Sequence, residues 1–155
     1  MARIVVRQAS VDDLEVLVAL RRGMFESMGV GDAASRDQQD RDFRRWVRPR
    51  LRRGEYVGFA AWAGEVAVAG AAIWLCERQP APGFAGGRLP YLLSVYTEPR
   101  FRGRGLATRT IKAAMAWCRD QGYRSMTLHA SPAGRRLYAR LGWERTWQMR
   151  VELSP

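Results

Sequence analysis

The stretch that decides the fold is Thr97-Glu98-Pro99-Arg100-Phe101-Arg102-Gly103-Arg104-Gly105-Leu106-Ala107-Thr108. Upstream of it, Leu89 to Thr97 is a mostly apolar run that predicts a strand buried on both faces, ended by Pro99. Downstream, Leu106, Thr110, Ile111, Ala114, Trp117 and Cys118 recur at helical spacing, so a helix over Leu106 to Gln121 begins directly after the glycines and stops at Gly122. Gly103 and Gly105 let backbone N–H groups approach a ligand, and the helix brings its positive dipole end to the same point. A strand, a glycine turn and a helix N-terminus in that order make a seat for a pyrophosphate. The turn is not a Walker loop, because no Gly-x-x-x-x-Gly-Lys-Ser/Thr occurs, and it lacks the third glycine of the dinucleotide fingerprint. The competing reading is an Arg-rich turn whose charges are simply solvated.

Outward from this stretch, the chain alternates elements of both kinds. Ile4 to Arg7 reads as a first strand. Ser10 with Asp12 and Asp13 signals the start of a helix over Val11 to Met28, with Leu14, Leu17, Val18, Met24, Phe25 and Met28 at helical spacing and Gly29 and Gly31 as its stop. Ser35 to Arg53 is a second, strongly charged helical stretch whose apolar face is Phe43, Trp46, Val47 and Leu51; Pro49 is expected to break it. Val57 to Cys76 runs for twenty residues with Glu65 as its one charge, the length of a membrane span. Glu65 falls near the middle, and Ala63-Gly64-Glu65 divides the run into two β-rich halves, so a buried hairpin of Tyr56 to Trp62 with Val66 to Cys76 is expected instead. Gln79 to Gly87 is a Pro/Gly-rich loop, Ser125 to His129 a strand, Ala133 to Leu141 a short helix, and Trp143 to Leu153 one or two closing strands. This order predicts an α/β (α+β) fold, a mixed sheet flanked by helices.

A chain of 155 residues is the size of one domain, 1–155, and can bury about 70% of its unfolded surface. Hydrophobic residues make up 47% and charged residues 26%, ordinary globular proportions that exclude a disordered or fibrous chain. The charge is less ordinary: 26 Lys+Arg against 15 Asp+Glu give +11, and Lys112 is the one lysine. Arg binds phosphate bidentately, which makes phosphate-bearing partners plausible; a codon bias toward Arg with solvated side chains explains the same count. Cys76, Cys118 and a single His, with no CxxC, give no framework for disulfides or for zinc. Together with a start too short in apolar residues for a signal peptide, this leads to the expectation of a cytoplasmic protein with no metal and no membrane contact.

Arg100-x-x-Gly103-x-Gly105 resembles the acyl-CoA signature Gln/Arg-x-x-Gly-x-Gly/Ala of the GCN5-related N-acetyltransferase (GNAT) superfamily, with the expected strand before it and helix after it. Ser131-Pro132-Ala133-Gly134-Arg135-Arg136-Leu137-Tyr138-Ala139-Arg140-Leu141-Gly142-Trp143 resembles the superfamily's later motif, Asn-x-x-Ala-x-x-x-Tyr-x-x-x-Gly-Phe. The element order agrees over essentially the whole chain.

The resemblance implies a sheet splayed at its middle to admit the pantetheine arm of acetyl-CoA, with helices on both faces. Val95, Tyr96 and Thr97 fall where the family's fourth strand bulges, pairs with the pantetheine and directs an N–H at the thioester carbonyl as an oxyanion hole. Gly103, Arg104, Gly105, Leu106, Ala107 and Thr108, with Arg100 and Arg102 beside them, would hold the pyrophosphate. Tyr138 aligns with the tyrosine that protonates the departing thiolate. Ser131 stands where the family usually has Asn, so its reach to the cofactor is shorter. No carboxylate lies within Leu89 to Thr97 or Ser125 to His129, where many relatives keep a general base; Glu98, Glu26 and His129 are the candidates, acting through water.

The implied reaction is direct transfer of an acetyl group to a primary amine, with acetyl-CoA as co-substrate. A lysine-like amine is neutral only about once in 10³ to 10⁴ molecules at pH 7, whereas an α-amine needs far less help from a base. A small amine suits a compact chain; a peptide amine needs an open groove. An aminoacyl-tRNA suits the net charge and the Arg44, Arg45, Arg48, Arg50, Arg52 and Arg53 cluster. A nucleic-acid or regulatory binding module that kept the fold without turnover is the reading from another class. Dimers are common among proteins that resemble this one.

Overall fold

Between Tyr56 and Arg78 the chain forms the hairpin its sequence foretells: β2 (Tyr56–Ala63) and β3 (Val66–Arg78) pair antiparallel from Tyr56↔Trp74 to Ala63↔Val66, turning at Gly64 with φ +64°. In this computed structural model, which describes residues 3–84 and 86–153, the hairpin is the centre of a five-stranded sheet ordered β1-β2-β3-β4-β5. β1 (Ile4–Gln8) and β4 (Gly87–Thr97) flank it antiparallel, and β5 (Thr127–Leu128) joins β4 in parallel, which makes the sheet mixed. No helix among the described residues is long and apolar enough to cross a membrane.

Alternation along the strands assigns each face to a helix layer. Val57, Phe59, Ala71, Ile73, Leu75 and Leu92 point to one side, where α3 (Leu106–Asp120) lays Ile111, Ala114 and Cys118 against them. Tyr56, Ala72, Trp74 and Leu93 point to the other, covered by Leu14, Leu17 and Val18 of α1 (Leu14–Ser27) and by Phe43 and Val47 of α2 (Ala33–Arg52). α1 sits close where the hairpin presents glycine beneath it. A Cβ on Gly58 would lie 2.7 Å from a Leu17 methyl, and one on Gly70 2.8 Å from a Leu20 methyl. A glycine inside a strand marks this kind of close approach.

Several boundaries differ from the sequence reading. Val11–Asp13 is a 3-10 turn and the α-helix starts only at Leu14. Pro49 does not break α2, which continues to Arg52: proline removes one bond, to the carbonyl of exposed Arg45, while buried Val47 and Phe43 hold the helix to the sheet. The strand expected over Ser125 to His129 is only Thr127–Leu128, and the closing strands expected over Trp143 to Leu153 do not form. A strand exists only where a neighbour accepts its ladder, and two residues of β5 offer little edge. Trp147, Met149, Val151 and Leu153 keep the alternate spacing of a strand yet are 75–98% exposed. α4 (Arg135–Arg140) is the short helix expected near Tyr138.

Candidate acyl-CoA site

The sheet opens at the C-terminal half of β4. β5 pairs with β4 at Tyr91↔Thr127 and Leu92↔Leu128 and no further, so Leu93 to Thr97 has β3 on one side and no ladder on the other. This is the central splay expected of the fold. On the β3 side the register slips, from Ala72↔Leu93 to Gly70↔Tyr96, so that Ser94 and Val95 together face Ala71. Ser94 has φ +53°, the one non-glycine residue with positive φ among those described. The bulge therefore centres on Ser94 and Val95, one residue before the Val95 to Thr97 expected from sequence.

Its consequence is a change of face. Leu93 packs in the α1/α2 cluster and Ser94 Oγ lies 3.5 Å from the hydroxyl of Tyr56, a member of that cluster, so two successive residues share one side. Val95 is thereby turned to the α3 side, where it joins the same apolar cluster as Tyr138 and Trp143. Tyr96 returns to the α1 side, against Gly23, where an added Cβ would lie within 2.8 Å of its ring and hydroxyl. A bulge re-aims side chains in this way next to sites.

Beyond Thr97 the chain makes a 3-10 turn over Pro99–Phe101 and enters α3 through Gly103 (φ +74°) and Gly105 (φ +71°). Left-handed backbone is accessible to glycine without the steric cost other residues carry. The successive N–H groups of residues 103–108 have no hydrogen-bond partner among the described residues; the first helical bond, from Arg109 N–H to Gly105 O, comes after them. No side chain caps α3, and nothing lies within 4 Å of where a Cβ on Gly103 or Gly105 would stand. The result is an open cradle of donors at a helix N-terminus, the arrangement that suits a phosphate. Arg102 Nε donates to Thr97 O at 3.1 Å and Arg104 to Arg100 O at 3.4 Å, so both brace the turn and carry positive charge beside it. Two further buried donors, Thr97 Oγ1 at the end of β4 and Trp143 Nε1 beside Tyr138, have no partner among the described residues.

Tyr138 packs its ring edge-on against Trp143 at 6.0 Å, and burial raises its pKa, which keeps the phenol protonated at neutral pH. Ser131 accepts the Gly134 N–H at 3.2 Å and so shapes the entry to α4. Glu98 and Glu26, far apart in sequence, both act on Tyr96: burial, foremost, and the two carboxylates raise its pKa while Arg102 lowers it. Glu26 is held by Arg22 at 3.0 Å and approached by Arg36 at 4.0 Å; the Glu98 side chain has no ion-pair or hydrogen-bond partner among the described residues. His129 lies exposed beyond β5 rather than packed within a strand, with Tyr91 Oη on Nδ1 and Gln148 Nε2 2.9 Å from Nε2, so both ring nitrogens are engaged.

Sequence reasoning passed over Ser94 in the bulge, Gly23 of α1 against Tyr96, and Arg21 of α1, which stacks on Phe25 and Phe43. Glycines inside helix and strand patterns, and an arginine on the apolar stripe of α1, were the signals available.

A family model described as the Acetyltransferase (GNAT) family matches residues 17–143. The chain belongs to this family and is an N-acetyltransferase by class. A GCN5-related N-acetyltransferase from Ralstonia eutropha is 32% identical, with 97% of this chain and 99% of that one covered and a TM-score of 0.85. A predicted acetyltransferase from Clostridium acetobutylicum, solved with acetyl-CoA, is 26% identical over 98% of this chain and 96% of that one, with a TM-score of 0.86. An aminoglycoside N-acetyltransferase in complex with CoA shares the fold at 21% identity, with 99% and 96% covered and a TM-score of 0.71. A comparison with curated proteins gives no match.

Proposed function

We propose that residues 1–155 act as one acetyltransferase domain that moves an acetyl group from acetyl-CoA directly to a primary amine of a small molecule. The observation that carries this reading is the run of N–H groups over residues 103–108 without a partner among the described residues, beyond the end of β4 where β5 no longer pairs with it. A diphosphate in the cradle leads a pantetheine arm into that gap, along the backbone of Val95, Tyr96 and Thr97, which has no strand on that side. Arg100, Arg102 and Arg104 add charge at the diphosphate, and Ser131, with a shorter reach than the family's Asn, is assigned to the arm.

The amine approaches from the α1 side and its nitrogen attacks the thioester carbonyl carbon. Charge collects on the carbonyl oxygen, and in this reading a main-chain N–H of the bulge receives it. As the C–S bond breaks, Tyr138 gives its phenolic proton to the thiolate; a phenol that burial keeps neutral is suited to that role. The surplus proton of the amine leaves through water to a carboxylate. Glu98 is the better placed of the two candidates, because the Glu26 carboxylate is shared with Arg22 and Arg36. Neither cysteine lies in the glycine turn or in the Ser131 to Trp143 motif: Cys118 is buried in the body of α3, where burial raises its pKa to about 11, so no acyl-cysteine step is invoked.

Release of free thiol from acetyl-CoA, followed with a panel of small amines, peptides with free α-amines and aminoacyl-tRNA, tests the reading. Amine-dependent thiol release with the small amines is expected. Thiol release confined to peptide or tRNA acceptors would overturn the small-molecule assignment.

A further inference from the structure

Arg21 stands on the inward stripe of α1, and its guanidinium carbon lies 4.7 Å from the ring centroid of Phe25 and 4.5 Å from that of Phe43. It is half-buried. Its Nη1 is sealed from solvent without a hydrogen-bond partner, and no carboxylate among the described residues lies within ion-pair distance of it. The acids nearby are committed elsewhere. Asp37, Asp40 and Glu26 all bind Arg22, at 2.6, 2.8 and 3.0 Å, and Glu15 binds Arg44 at 2.9 Å. Burial lowers the pKa of Arg21, with Tyr56 and the distant charge of Asp40 opposing that trend only in part. Cation–π contacts offset some of the desolvation of a guanidinium, but a buried charge ordinarily finds an anion as well.

The position of this unanswered charge is informative. The Phe43 ring meets that of Tyr56 edge-on at 5.9 Å, and the Tyr56 hydroxyl reaches Ser94 Oγ at 3.5 Å, at the centre of the β4 bulge. Two rings thus lie between the guanidinium and Ser94, beside the place where the acyl group is expected and on the side proposed for entry of the amine.

We propose that Arg21 determines acceptor specificity by receiving a carboxylate carried on the amine substrate. The inference rests on the reading that the α1 side admits the acceptor. Arg presents N–H donors in a planar fork that matches two coplanar carboxylate oxygens, and aromatic neighbours that fix the group reduce the freedom lost on binding. The carboxylate supplies the counter-ion that the fold withholds.

The test compares amino acids, their carboxamides and the corresponding aminoalkyl phosphates as acceptors for the wild-type chain, Arg21→Met and Arg21→Lys, by thiol release. Calorimetry with the acetylated amino acids and with acetyl-CoA is run on the same proteins. For Arg21→Met, KM for the amino acids is expected to rise about tenfold or more with kcat little changed, the carboxamides to be unaffected, and the melting temperature to hold or rise as an unpaired buried charge is removed. Arg21→Lys keeps the charge without the fork and is expected to fall between. Equal changes for amino acid and carboxamide, a lowered melting temperature with selectivity intact, or a preference for the phosphates would overturn the proposal. If acetyl-CoA binds but no amine is acetylated, retained binding of the acetylated amino acids that Arg21→Met abolishes still supports it. Failure to bind acetyl-CoA at all would instead overturn the transferase reading and this inference with it.

Discussion

In the proposed mechanism Tyr138 is the residue on which the chemical step most depends, and its environment separates packing from proton transfer. Its ring fills a place between the α3 cluster and Trp143, and the hydroxyl has no partner among the described residues. Tyr138→Phe keeps the ring and removes the proton. We expect kcat to fall by about 10² or more while acetyl-CoA binding and melting temperature stay near wild type, because general acids typically contribute 10² to 10⁴. Initial rates of thiol release alongside calorimetry check this; an unchanged kcat would remove Tyr138 from the mechanism. The position of Tyr138 on a short helix was legible in the sequence, and its proposed role comes from the resemblance of the Ser131 to Trp143 motif. Ser94 and Arg21 were not legible there, because their meaning comes from a strand bulge and from two aromatic neighbours that belong to different elements.

At the scale of elements, two features of the first half of the chain carry measurable consequences. β1 is joined to the start of α1 through Asp13, whose carboxylate accepts from Arg7 at 2.7 and 3.0 Å and from the Ser10 N–H at 2.8 Å. These bonds, the Arg7 one foremost, hold the Asp13 pKa at about 2. A pKa depressed in the folded state gives stability that is complete above the unfolded value, about 4, and lost as pH falls toward 2. Chemical denaturation from pH 5 to 2 should show that loss, and Arg7→Gln should flatten it; a slope unaltered by Arg7→Gln would mean the pair contributes nothing. The second feature is the contact of α1 with the bare face of the hairpin. Gly70→Ala places a methyl 2.8 Å from Leu20 and 3.3 Å from the Phe59 carbonyl. Overpacking of this kind costs about 1–3 kcal/mol, and equilibrium unfolding should report a loss in that range. The hairpin, α3 and the helix order were readable from periodicity and turn residues. β5 and the residues after Trp143 were not, since a strand pattern states what a segment can do and a neighbouring edge decides whether it does.

Across the whole molecule the excess of arginine is partly spent on architecture. Arg44 pairs with Glu15 at 2.9 Å, Arg45 with Asp42, and Arg53 with Glu55 at 2.9 Å, so much of the α2 cluster that suggested RNA is engaged within the chain. Arg109 reaches across to the Ile4 carbonyl at 2.8 Å and fastens α3 to β1. Arg102 and Arg104 brace the glycine turn, around N–H groups that have no partner among the described residues. A sheet split beyond Leu92, a bulge that sends Val95 and Tyr96 to opposite faces, and a cradle at the head of α3 all converge on the same end of β4. The proposed function requires that this cradle receive the diphosphate of acetyl-CoA. Calorimetric titration of the purified chain with acetyl-CoA at moderate salt, repeated with Gly105→Ala, measures it most directly. One-to-one binding in the micromolar range, weakened at least tenfold by a substitution that forces a side chain into left-handed backbone within the cradle, is the predicted result. Absence of binding, or binding indifferent to Gly105→Ala, would contradict it.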